Sequence, residues 1–469
     1  MHQHDKSHGY NRLTIMVCKP RPAHPAIRME RLVCCEPLEL EYLYTALQET
    51  DDVYLLDGVT DQRDPVQLAK RIHAQIVLFT SYITNVNTVL DTAEKLKRLS
   101  EPPLIFVGGP HAEVIPEHFC TDNIDGVFFA NQLQGLVTVV NRIRINEGYD
   151  DTPGVLFPAN GASRRNAPIP LDVETLPQPS RILLERSKNK YRYMYYQPCA
   201  SIKTAFGCSH RCTYCFCREM NNGAYTARTI NSVIDEIEGI PVKNILIVDD
   251  NFLTSRRRLA EFCSKIQDRG IDKEFIAYGH ARFVAQNPDM MRELRQAGLS
   301  GLMVGLEFVT DRELKAFDKN ATILDNDRTI DICSELDIEL FALFMVNPDW
   351  RRDDFRRLAS YLKEKDIAFA AFSTITIFPG TELARQQNCI FDTNTRWWRY
   401  DLLRLHSNPR YMSPLSYYLW LFYLYMLPGL HFSGLCRLCS RYGIWGTVKL
   451  ILSSWSIGLE YFVKLLIWR

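Results

Sequence analysis

Cys208-Ser209-His210-Arg211-Cys212-Thr213-Tyr214-Cys215 places three cysteines in the pattern CxxxCxxC. It follows an apolar run, Ser201–Phe206, that reads as a buried strand. Three thiolates on one short loop can converge on one cluster. Iron–sulfur clusters usually take four cysteines, so three leave one iron open. A structural zinc site would want a fourth ligand at closed spacing. Cys217 is near, but a strained Cys–x–Cys pair makes it a poor fourth ligand.

Downstream of that loop the chain alternates. Candidate strands are Asn244–Val248, Phe275–Tyr278, Gly301–Leu306, Leu340–Met345 and Ala370–Ile375. Helical stretches fit between them, such as Thr229–Glu238, Arg256–Arg269 and Pro288–Ala297. With Ser201–Phe206 they predict a partial or closed barrel of six β/α units, whose active site lies at the carboxyl ends of the strands. Upstream, Leu13–Cys18, Val53–Leu56, Ile76–Thr80, Leu104–Val107 and Val127–Phe129 read as strands. Pro65–His73, Val86–Leu99, Ala112–Phe119 and Gln132–Asn146 read as helices. That alternation predicts a second α/β domain, a doubly wound parallel sheet that takes ligands at its strand carboxyl ends. Gly108-Gly109-Pro110 lies at such an end, where glycines let a bulky ligand approach the backbone. An ordinary strand-to-helix turn accounts for it equally well. The expected organisation is an α/β domain over 1–150, a proline-punctuated linker over 151–200, a barrel over 201–395 and a helical, aromatic-rich region over 396–469.

The 469 residues carry 55 basic and 55 acidic side chains, a balance that argues against a general nucleic-acid binder. The polar opening, Met1-His2-Gln3-His4, lacks the apolar stretch of a signal peptide, so a cytoplasmic, reducing location is expected. There, most of the 14 cysteines are ligands or free thiols. Cys199, Cys217, Cys263, Cys333 and Cys389 read as ordinary thiols. Cys436-Arg437-Leu438-Cys439 is a lone CxxC, weak as a zinc or second-cluster motif. His4 and His8 read as part of a mobile tail.

The cysteine loop in this position resembles the radical S-adenosylmethionine (SAM) superfamily. Asp249-Asp250-Asn251-Phe252 at the second strand end, Arg282 after the third, Gly305-Leu306-Glu307 at the fourth and Phe378-Pro379-Gly380-Thr381 at the last agree with it. The resemblance implies that Cys208, Cys212 and Cys215 hold a 4Fe–4S cluster whose open iron chelates SAM. One electron, from a donor such as flavodoxin or ferredoxin, would cleave SAM to methionine and a 5′-deoxyadenosyl radical. Tyr214 matches an aromatic that packs near the adenine, although filling the underside of the loop explains it as well. Asp249, Asp250, Arg282 and Glu307 are candidate SAM contacts, or else salt-bridge partners at the barrel mouth.

The first domain resembles the cobalamin-binding subgroup of that superfamily, through Gly108-Gly109-Pro110-His111 and through Pro37-Leu38-Glu39-Leu40-Glu41-Tyr42-Leu43. Gly108 and Gly109 become candidate cobalamin contacts. The chain has no D-x-H-x-x-G motif, so cobalamin would bind without a histidine ligand, and His111 reads as structural or as a contact. Ala130-Asn131-Gln132-Leu133-Gln134-Gly135 stands where the subgroup often has G-E-G-E. A domain that keeps the fold without the cofactor is the alternative. The resemblance implies a class B methyltransferase-like enzyme, similar to hopanoid methylases, in which a substrate radical takes a methyl group from methylcobalamin. Ring closure, ring contraction, oxidation and a non-catalytic sensor are the other readings.

Tyr411–Cys436 has no charged residue, and residues 411–469 hold five basic residues against Glu460 alone, a net charge of +4. Val448–Trp468 carries apolar residues at helical spacing. This region is expected to lie in a membrane interface or to cover the barrel. The interface reading makes a lipid substrate attractive.

Overall fold

The computed structural model describes residues 11–159, 162–221, 223–392, 395–427 and 432–467. His4, His8 and Pro428-Gly429 lie outside the described residues, as does the side chain of Cys436. The chain divides into two compact units. One is built on residues up to Ala23, Pro37–Leu183 and Asp392–Thr395, the other on His24–Glu36, Leu184–Phe391 and Arg396 onward.

In the first unit, five strands run parallel: β1 (Thr14–Lys19), β2 (Asp52–Asp57), β3 (Ile76–Thr80), β4 (Leu104–Gly108) and β5 (Gly126–Phe128). Their cores, such as Ile15, Val17, Val77 and Ile105, are fully buried, as continuous apolar runs covered by helices should be. Helix Val86–Lys97 turns Val89, Ala93 and Leu96 inward, one face at helical period. Asp64 caps helix Pro65–Arg71 by accepting from Gln67 N at 2.8 Å. The expected helix Ala112–Phe119 is split, because Pro116 starts a separate 3₁₀ turn after helix Pro110–Val114.

The linker reading of 151–200 is corrected. β6 (Val155–Ala159) and β7 (Ala162–Arg165) extend the sheet antiparallel, giving the order β2-β1-β3-β4-β5-β6-β7. Val155, Leu156 and Phe157 are buried there, and Pro158 is tolerated because the pairing of β6 with β5 involves only Val155 and Leu156, so no β5 partner needs its missing N–H. Further on, Glu41 accepts from Ser180 Oγ at 2.6 Å, Ile182 N at 3.1 Å and Leu183 N at 2.7 Å, which pins the segment to helix Leu38–Leu47.

The second unit holds six parallel strands in chain order: β8 (Cys199–Ile202), β9 (Asn244–Ile247), β10 (Glu274–Gly279), β11 (Leu299–Glu307), β12 (Glu339–Val346) and β13 (Phe369–Thr374). β8 and β13 are the two edges, so the barrel is partial. The expected strand Ser201–Phe206 is two pieces. After β8 ends, Ala205–Phe206 pairs with Thr226–Ala227 as a ribbon that brackets the cysteine loop. Helix Pro414–Met426 covers the β13 edge. Tyr417 OH donates to Val346 O at 3.1 Å, and Tyr425 OH donates to Phe372 O at 2.6 Å. A final helical segment, Phe432–Ile467, breaks at Gly443, where φ is +67°. Among the described residues no helix is long and apolar enough to cross a membrane.

Candidate functional site

The cysteine loop leaves the ribbon through Gly207, at φ +83°, where a Cβ would fall 1.9 Å from Ala224 O. Only glycine fits that turn. Two aspartates at the end of β9 then fix the loop. Asp249 accepts from Thr204 N at 2.6 Å and Ala205 N at 3.0 Å, and Asp250 accepts from Gly207 N at 2.9 Å. On the far side, Thr213 N donates to Phe317 O at 3.2 Å, and Leu383 N donates to Thr213 O at 2.8 Å. The second contact comes from the Pro379-Gly380-Thr381 turn, where Thr381 caps helix Glu382–Gln386. The loop is therefore tied to the ends of several strands.

Cys208, Cys212 and Cys215 are partly exposed on this loop. A hydrogen bond from Cys217 holds the Cys215 thiol below its ordinary value. Burial pushes Cys212 up to about 11, and the buried Lys319 acts against that rise. Burial also pushes Cys208 up, and both Cys208 and Cys212 feel the charge of Cys215. Cys217 thus serves Cys215 as a hydrogen-bond donor.

Among the described residues no three His, Cys, Asp or Glu side chains converge on a single metal ion. A cubane takes one thiolate per iron, so its ligands stand apart, and three thiols on one loop with a cation beside them fit it.

Glu307 and Lys319 form the charged centre of this unit. Lys319 Nζ lies 3.1 Å from Glu307 Oε1, with 8% and 12% of the two side chains exposed. Glu307 sits at φ +63°, where β11 shifts register against β12. The pair folds back over Gly305, where a Cβ would lie 2.1 Å from Glu307 Oε1 and 2.9 Å from Lys319 Nζ. Tyr214 hydrogen-bonds Glu307, and its ring meets Phe317 edge-on at 6.0 Å, so it fills the underside of the loop. Arg282 is exposed, with its guanidinium on Asn320.

Of the sequence candidates, Glu307 and Tyr214 come together with the cysteines. Asp249 and Asp250 are spent on the loop backbone, and Arg282 lies at the rim. Sequence reasoning missed Lys319, whose only signal is its place twelve residues after Glu307. It also missed His280. This residue is 5% exposed, accepts from Arg282 N at 3.3 Å and stacks on His210 of the cysteine loop at 3.9 Å. Burial pushes His280 down to about 2, so the ring is neutral. Beside Cys212, an open cleft of about 430 Å³ includes Arg211, Arg218, Glu219 and Arg385 in its lining.

The carboxyl edge of the first sheet is built differently. Gly109, at φ +93°, brings the loop after β4 against the end of β3, where a Cβ would lie 2.6 Å from Thr80 Oγ1 and 2.8 Å from Ser81 N. Gly108 has only ordinary room, with Phe128 Cβ at 3.8 Å from its would-be Cβ. Ser81 N donates to Gly108 O at 2.8 Å, and His111 N donates to Ser81 O at 3.0 Å. Glu113 accepts from Asn131 N at 2.9 Å and holds the loop after β5, where Ala130 and Asn131 both have positive φ. Three successive loops are thereby laced together.

His111 is fully buried, with Nε2 3.0 Å from His118 Nδ1, so it is a core residue. Thr80 Oγ1 is buried at this edge without a hydrogen-bond partner among the described atoms. A ligand-binding edge of an open α/β sheet with an orphaned buried hydroxyl, and with His111 held in the core, fits a corrinoid bound without that histidine on cobalt.

Residues 26–140 match the B12 binding domain family, and residues 202–362 match the radical SAM superfamily. An uncharacterized methyltransferase from Pyrococcus horikoshii is 24% identical over 77% of this chain and 80% of its own. The hopanoid C-3 methylase of Methylococcus capsulatus is 24% identical over 74% of this chain and 68% of its own. Matches of similar identity include anaerobic magnesium-protoporphyrin IX monomethyl ester cyclases. The fold is that of the cobalamin-dependent S-adenosylmethionine radical enzyme OxsB, whose structure with aqua-cobalamin and S-adenosylmethionine bound superposes with a TM-score of 0.72 at 13% identity, over 97% of this chain and 72% of that one. With a B12 binding domain ahead of a radical SAM domain that keeps its cysteine loop, this chain belongs to the B12-binding radical SAM superfamily and is a cobalamin-dependent enzyme that uses a [4Fe–4S] cluster and SAM.

Proposed function

We propose that this enzyme is a methyltransferase acting on an unactivated carbon of a lipid or terpenoid. One observation carries the reading: the complete cysteine loop, with Glu307 and Lys319 beneath it, shares a chain with a B12 domain whose His111 and His118 are locked in the core. An sp³ carbon has no lone pair, so polar transfer from SAM cannot methylate it. Together the cofactors supply a carbon-centred radical and a methyl group, and the protein positions them. Cys208, Cys212 and Cys215 would hold the cluster. Asp249 and Asp250 keep their loop rigid, and Lys319 balances negative charge beneath it. The names of the two relatives, a methyltransferase and a hopanoid methylase, support methyl transfer. A low-potential donor of the flavodoxin or ferredoxin kind would supply the electron.

A second reading, ring closure without methyl transfer, draws on the cyclase matches. SAM labelled with deuterium in its methyl group separates the two. Anaerobically reconstituted enzyme, reduced flavodoxin and a lipid extract should yield labelled product together with S-adenosylhomocysteine. Formation of 5′-deoxyadenosine with an unlabelled product would assign the cyclase-type chemistry instead.

A further inference from the structure

The two C-terminal helices each carry two apolar faces, and only one face of each is used. In helix Pro414–Met426, Tyr417, Leu421 and Leu424 are buried, while Leu415 and Leu419 are more than half exposed. The next turn adds Tyr423 to that outer row. In the segment after Gly443, Tyr461 is buried, whereas Ile444, Val448, Leu452, Trp455, Leu459 and Val463 are exposed. Their spacing of three and four residues draws one continuous stripe along the helix. Trp445, beside it, is 85% exposed. The helices meet each other elsewhere, with Phe422 edge-on to Phe462 at 5.1 Å and Tyr418 to Tyr461 at 6.0 Å. The outer stripes are therefore not the seam between them. Contiguous apolar surface on this scale marks an interaction site.

We propose that these stripes dock the enzyme in the plane of an anionic lipid surface. Three observations select a bilayer as the occupant. Among the described residues no helix can span a membrane, so contact would be lateral. Trp445, Trp455 and Tyr423 are side chains with an apolar body and a polar edge, which favour the headgroup boundary. Charge is partitioned accordingly: residues 411–469 carry +4 in a chain of zero net charge, so residues 1–410 carry −4. Lys449 is exposed one position from Val448 in the stripe. Apolar burial and attraction to anionic headgroups both strengthen such binding.

The inference stands apart from the methyl-transfer reading, because vesicle binding needs neither SAM nor substrate. The test is co-sedimentation of the full chain with phosphatidylcholine vesicles, with and without phosphatidylglycerol. The chain should pellet with both, more strongly with phosphatidylglycerol. Trp455→Glu/Leu459→Glu should weaken binding by at least about tenfold. Lys449→Glu should lose the preference for phosphatidylglycerol and keep the residual binding. Ile390→Glu, at an exposed apolar position outside these helices, should change nothing. Retention in the supernatant with both vesicle types would overturn the proposal. So would parental binding by the double variant, or sedimentation velocity showing that the double variant dissociates a dimer while vesicles have no effect.

Discussion

The two sheets present their ligand edges in opposite ways. The edge of the first is laced chiefly through backbone: Ser81, Gly108 and His111 exchange main-chain hydrogen bonds, while Glu113 and Glu39 add carboxyl clamps on Asn131 N and Tyr82 OH. The edge of the second is closed by charge, with Asp249 and Asp250 on the loop amides and Glu307 on Lys319. A backbone-laced edge offers fixed shape, which suits a large, preformed cofactor. A charge-laced edge holds thiolates and can compensate a change in cluster charge. The two edges thus differ in what holds them, one chiefly backbone and the other chiefly side-chain charge.

The strongest way to break that division is to remove the thiols. Replacing Cys208, Cys212 and Cys215 with Ala should take iron from about four per chain to none and abolish SAM cleavage. Cobalamin retention, read by absorbance, should persist, and its loss would show that the edges are not independent. Lys319→Met comes next, because it strands the buried carboxylate of Glu307. It should cost about 3 kcal/mol in chemical denaturation. The double variant Lys319→Met/Glu307→Leu should recover most of that stability without recovering SAM cleavage, which separates packing from function.

Gly109→Ala tests the other edge. It forces a side chain into positive φ against Thr80 and should cost about 2 kcal/mol and release cobalamin. Iron content should stay unchanged.

The smallest effect is a slope. Burial raises the Glu113 carboxyl from 4.5 to about 8, so the folded edge keeps a proton that the unfolded chain releases. Stability contributed at this site therefore falls as pH rises from 4.5 toward 8. Glu113→Gln should flatten that fall in thermal melts, and an unchanged slope would place the titration elsewhere.

How much of this was legible in the sequence depended on what each function demands of neighbouring residues. A cluster needs its ligands on one loop, so Cys208, Cys212 and Cys215 announced themselves. Alternating apolar runs gave both parallel sheets. Lys319 and His280 reach the cysteines only through the fold, and no local spacing marks them. Asp249 and Asp250 were visible as acids at a strand end, yet a carboxylate bound to amides reads the same in sequence as one awaiting a ligand. Val155-Leu156-Phe157 was hidden by its flanking prolines, Pro153 and Pro158, which argue against a strand paired along its whole length but leave room for the short pairing with β5 seen here.

Gly305 draws these threads to one position. Its missing side chain is volume occupied by an ion pair formed from residues two and fourteen places further on. Even one methyl group there would evict the carboxylate from the ammonium. The G-x-E signature is thus a lock and its clearance written together. A chain with these cysteines but a bulkier residue at this point must hold its glutamate, and balance its cluster, by some other arrangement.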